Sequence, residues 1–72
     1  MEVIILKADQ HKIRLAMARA CMRGSDIASK AMMPQPTVAN VLKGRSVTPI
    51  TLGKVARALG VDVAEIMEEA KQ

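Results

Sequence analysis

Glycine and proline cut this chain into short segments of helical periodicity, and that punctuation restricts it to a bundle of short helices. Asp9 can cap a first helix over residues 10–22, whose apolar positions Ile13, Ala16, Met17 and Ala20 share a face while Lys12, Arg14 and Arg19 point elsewhere. Arg23-Gly24-Ser25 interrupts it. Ser25 or Gly24 can cap a second helix that ends near Ala31 and buries Ile27, Ala28 and Ala31. Pro34 and Pro36 bracket the next start, because proline is tolerated in a first turn and not in an interior. The third helix runs from 35 or 36 to 43, with Val38, Val41 and Leu42 inward, and Gly44 ends it in a left-handed conformation. Thr48-Pro49 opens a fourth, striped by Leu52, Val55, Ala56 and Leu59 and stopped by Gly60. Asp62-Val63-Ala64-Glu65 has capping-box spacing and predicts a fifth helix to about Ala70, with Val61, Val63, Ile66 and Met67 in the core. Ahead of all this, Val3-Ile4-Ile5-Leu6 fits a short strand or a packed arm. A lone strand must pack on the helices or pair with another chain. The expected fold is all-α: a compact five-helix domain with a short N-terminal arm or strand, spanning residues 1–72 as one unit.

At 72 residues, such a domain has a small core, since one of this size buries only about 60% of its unfolded surface. One cysteine, Cys21, excludes an internal disulfide, and one histidine, His11, leaves no zinc-ligand cluster. Association with a second chain is then the expected source of extra stability. Cys21 reads as a small buried or half-buried residue, and His11 as a surface residue. No aromatic residue is present, which disfavours base stacking and so single-stranded nucleic acid. The six methionines are expected to fill the core instead, Met33 among them. The run Val3–Leu6 is too short for a signal or membrane helix, so a cytoplasmic protein is expected. No nucleophile–base pair, metal set or phosphate loop is evident. The reading is therefore a non-enzyme without cofactor, metal or small-molecule ligand.

Charge is unevenly spread. Residues 1–45 carry eight Lys/Arg against three acids, and residues 46–72 carry three against four. The basic first part fits a face that meets a polyanion, though on charge alone an ordinary solvated surface fits equally well.

The stretch from about 24 to 43 is two short helices with a brief turn, the arrangement in which one helix braces on DNA and the next enters the major groove. Ala28 supplies the small residue where the helices cross, and Ile27, Val38 and Val41 hold the second helix to the bundle. Gln35, Thr37 and Asn40 are left as polar groups able to reach base edges. The amides of Gln35 and Asn40 can each pair with adenine, and Thr37 can meet a thymine methyl or a phosphate. Gln35 can equally cap its helix. Lys43, Arg45 and Arg23 position the duplex without reading it.

The segments Val41-Leu42-Lys43-Gly44-Arg45, Thr51 to Val61 and the pair Ile27-Ala28 resemble the Cro/lambda-repressor-like (XRE) helix-turn-helix family, and the likeness extends over residues 10–68. The resemblance implies that Gln35 opens the recognition helix, that Pro36, Thr37 and Asn40 share its exposed face, and that Lys43 and Arg45 meet phosphates. It also places Gly24 where the family often has a phosphate-contacting glutamine, with Arg23 as the substitute. Met32 stands where the family has a turn glycine, and Pro34 where it has a Ser/Thr cap. The expected function is a sequence-specific, homodimeric regulator of transcription, a repressor, that binds double-stranded DNA. The fifth helix and the Val3–Leu6 arm are its expected subunit contacts. The alternative is a protein-interaction module, antitoxin-like or an adaptor, on the same scaffold.

Overall fold

The computed structural model describes residues 5–68, which form four α-helices and one 3-10 turn. These are α1 (Gln10–Ala20), α2 (Gly24–Ala31), α3 (Gln35–Leu42), α4 (Pro49–Leu59) and the turn Val63–Glu65. Two N-terminal caps form where the local signals put them. The Asp9 carboxylate accepts from the N–H groups of His11 and Lys12 at 2.9 and 3.0 Å, and the Thr48 hydroxyl accepts from Thr51 N–H at 3.4 Å. At α2 the cap position belongs to Arg23 rather than Ser25 or Gly24. An arginine side chain cannot accept, so Asp26 supplies the side-chain bond by reaching back to Arg23 N–H at 2.8 Å.

All four helices end in the same way. In each, one residue turns left-handed and it and its successor donate back to carbonyls of the last turn: Cys21 and Met22, Met32 and Met33, Gly44 and Arg45, Gly60 and Val61. Gly44 (φ 79°) and Gly60 (φ 75°) adopt this conformation freely. Cys21 (φ 55°) and Met32 (φ 56°) do so against the steric preference of a side chain. Cys21 is exposed, not half-buried as its composition suggested, because the left-handed turn carries it out of the α1 core face.

The core is aliphatic. Ile13, Ile27, Val38, Val41, Leu52, Val55 and Ile66 are essentially sealed from water, with five alanines and Leu59 closing the gaps, and no polar residue is buried among the described residues. The methionines do not fill this core. Met17, Met22, Met33 and Met67 pack around its edge, and Met32 is 91% exposed. α2 packs on both α3 and α4, while α1 lies across α3, α4 and the 3-10 turn.

The segment expected as a fifth helix to Ala70 is instead one 3-10 turn, and residues 69–72 lie outside the described residues. The local signal does operate: Asp62 N–H donates to Glu65 Oε2 at 3.1 Å. Helix propagation then loses to tertiary contacts. Ile66 is buried in the core and its carbonyl accepts Asp9 N–H, while Glu68 N–H donates to the Lys7 carbonyl, each at 2.8 Å. Those are backbone groups that a continuing helix would require. The arm is explained by the same pairing. Leu6 and Val47 exchange both backbone hydrogen bonds, at 2.8 and 2.7 Å, and Ala8 faces Met67 as an antiparallel bridge. These are isolated bridges rather than strands; Val3 and Ile4 lie outside the described residues.

Candidate nucleic-acid interface

α3 divides cleanly between core and surface. Val38 and Val41 are buried, 1% and 0% exposed, and anchor the helix against α2 and α1. Gln35 and Pro36 are exposed on its first turn, with Thr37 and Asn40 half-buried and Lys43 exposed just past its end. Pro36, Asn40 and Lys43, at spacings of four and three, form one outward stripe. Thr37 sits beside it, closer to the core.

Gln35 is not the cap of its helix. Pro34 holds that position in an extended conformation (φ −61°, ψ 141°), and its carbonyl accepts the N–H groups of Thr37 and Val38 at 3.1 and 3.3 Å. Pro36 brings no N–H to satisfy, so a side-chain cap has little to do here. Among the described residues the Gln35 amide makes no hydrogen bond and is available to a ligand.

The loop after α3 carries the cations Lys43 and Arg45, both exposed, and three contacts fix it. The α3 terminus bonds Gly44 N–H to Val41 and Arg45 N–H to Asn40, each at 3.0 Å, and Val47 pairs with Leu6. The third contact was not legible in the sequence. The Gln10 side-chain amide donates to the Lys43 carbonyl, and it lies 3.4 Å from where a Gly44 Cβ would stand. A contact between residues 10 and 43 has no local signature.

At the start of α2, Arg23 is 85% exposed, and its guanidinium lies 3.6 Å from the Asp26 carboxylate. The Arg23 backbone N–H, with its guanidinium charge behind, holds the Asp26 carboxyl below its ordinary value. Arg23 therefore reaches the surface with its charge partly answered within the chain. Gly24 has a packing role that its family position did not suggest. A Cβ there would stand 3.1 Å from Leu42 Cδ1, so the small residue that lets α2 approach the end of α3 is Gly24, besides the buried Ala28. Lys43, Arg45, Gln35, Pro36 and Asn40 thus lie along α3 and its following loop, while Arg23 and Gly24 reach the same end of α3 from α2.

Among the described residues, no group of His, Cys, Asp and Glu could hold a metal ion, and no helix is long and apolar enough to cross a membrane. A solved structure of a mutant hydroxyethylphosphonate dioxygenase superposes on 92% of this chain with a TM-score of 0.75 at 20% identity. At that identity the likeness is one of fold, and this chain spans only 14% of the length of that one. No curated protein matches the sequence. Residues 22–66, which include α2, α3, α4 and the 3-10 turn, match the family model HTH_3, helix-turn-helix. The chain belongs to the XRE, Cro/lambda-repressor-like helix-turn-helix family, whose domains bind double-stranded DNA and are not enzymes.

Proposed function

We propose that the protein is a sequence-specific regulator of transcription that acts as a homodimer and represses by occupying its operator. One observation carries this reading most: α3 is anchored by Val38 and Val41 while its outer side presents two amides, Gln35 and Asn40, and leads into a clamped loop with two cations. In the major groove, each amide offers one donor and one acceptor, the pattern that matches adenine N7 and N6. Pro36 and Thr37 shape the contact between them, with Thr37 against a thymine methyl or a phosphate. Lys43 and Arg45 neutralise phosphates and set the register, with Arg23 and the α2 start at Gly24 on the flanking backbone.

A single eight-residue helix contacts too few base pairs to select an operator, so two copies are required on half-sites about one helical turn apart. Ile5 and Ile50, 55% and 72% exposed, lie one and three residues from the paired Leu6 and Val47, and each is an uncovered aliphatic side chain that a second copy can meet.

The test is selection from random duplex DNA, followed by a salt series on the enriched sequence with Asn40→Ala and Lys43→Ala. The expected result is an enriched palindrome. Asn40→Ala should relax one position at a cost of about 1–3 kcal/mol. Lys43→Ala should weaken all sequences alike and reduce the salt slope by about 0.9. An unenriched pool, or a double variant that binds as the parent does, would refute the proposed mode.

A further inference from the structure

α2, the turn after it and α4 line a second feature, a cleft of about 360 Å³ formed by Lys30, Ala31, Met32, Lys54, Arg57 and Ala58. Two helices thus bring three cations to one concavity, and among the described residues none of the three is paired with a carboxylate. Lys30 and Arg57 lie in the last turns of α2 and α4, where they complement the negative helix ends. That accounts for two of the cations. It does not account for Lys54, in the middle of α4, nor for Met32. Met32 is held in a left-handed conformation that a side chain disfavours, and the turn leaves it 91% exposed at the mouth of the cleft. Folding alone gains nothing from an uncovered methionine on a strained turn. A docking surface does, because a flexible thioether adapts to whatever lies on it.

We infer that this cleft docks an acidic segment of a partner protein, with one apolar side chain of the segment against Met32, Ala31 and Ala58 and its flanking carboxylates on Lys30, Lys54 and Arg57. Apolar groups set beside cations in one concavity are the arrangement of a protein–protein anchor. A phosphate backbone would use the cations and leave the apolar groups unused. The volume is at the small end for a binding cleft, which suits one anchoring side chain rather than a whole helix. The cleft shares no residue with those assigned to DNA, and this inference does not rest on that assignment.

The test uses a fluorescein-labelled ten-residue peptide with one central leucine among glutamates, read by anisotropy against the intact protein. Controls replace the leucine by serine or the glutamates by lysines. The expected result is saturable binding of the acidic leucine peptide alone. Lys54→Glu with Arg57→Glu should weaken it about tenfold or more. Met32→Gly is the decisive variant, because it relieves the left-handed strain while it removes the apolar contact. It should raise the melting temperature and weaken the peptide by about threefold or more. Binding that ignores Met32→Gly, or that is equal for the serine peptide, would overturn the proposal. So would a charge-reversed variant that loses duplex DNA as steeply as Lys43→Ala while no peptide binds, since the cations would then be phosphate contacts. Self-association abolished by the same variant, again without peptide binding, would assign the cleft to a second copy and equally overturn it.

Discussion

Two glycines of α4 and its end make opposite predictions from the same empty space. A Cβ added at Gly53 or at Gly60 would meet no atom within 4 Å, so neither site resists a methyl group sterically. They differ in backbone. Gly53 lies inside α4, while Gly60 is left-handed at φ 75°. Gly53→Ala should therefore gain the helix-propensity difference, about 1 kcal/mol. Gly60→Ala should lose about 1–2 kcal/mol, the cost of forcing a Cβ into the left-handed region. In a domain of this size each kcal/mol moves the midpoint by roughly 4–8 °C, so the two variants should melt at least about 8 °C apart on either side of the parent. The residues are seven apart, about 10 Å along the axis, so the double variant should fall near the sum of the singles. With no aromatic residue the chain has no useful intrinsic fluorescence, and circular dichroism at the helix band is the assay. A Gly53→Ala variant that melts lower than the parent would refute the reasoning, since something must then occupy the space above residue 53. So would a Gly60→Ala variant that melts higher.

Ile27→Ala removes a side chain that is 0% exposed at the α2 crossing and should cost about 2–5 kcal/mol, most of what a domain this small has; a denaturant midpoint left in place would contradict the core assignment. The lowered Asp26 carboxyl means that the unfolded chain binds that proton more readily in acid. Its stabilisation is therefore present above the ordinary value of 3.8 and is lost as pH falls through the folded value. Melting temperatures from about pH 6 to about pH 2 should show that loss in the parent and not in Asp26→Asn, and parallel curves would remove the effect. Gln10→Ala should free the Lys43–Arg45 loop, accelerating exchange of the Arg45 amide proton and weakening DNA without altering the selected sequence. Unchanged exchange would show that the Gln10 contact holds nothing.

The helix starts and stops that rest on local chemistry were readable from the sequence. Asp9, Thr48-Pro49, Gly44 and Gly60 each act within one turn of themselves, and each sits where its residue type implied. The fifth helix failed for the complementary reason. Asp62 and Glu65 form their local bond, but the fate of residues 66–68 is decided by Asp9 and Lys7, more than fifty positions earlier. The α2 cap was misplaced because a cap is a backbone position first, and Arg23 occupies it with a side chain that cannot accept. At the interface, α3 and its outward residues follow from periodicity alone. The Gln10 clamp and the close approach of Gly24 to Leu42 depend on how helices cross, which no spacing encodes. Cys21 and Met32 carry no local mark of their left-handed turns: neither is a glycine, and the packing of the helices imposes the conformation.

The pairing of Ala8 with Met67, and of Lys7 with Glu68, sets the segment before α1 beside the segment after the 3-10 turn. Those two segments lie together, so the domain can be set into a surface loop of another protein without prising α2 from α3. Joining the two ends by a short linker and reopening the chain at the exposed Cys21 turn should leave α2, α3 and the cations after them in their present relation. The order in which the helices are threaded is thus separable from the surface they build.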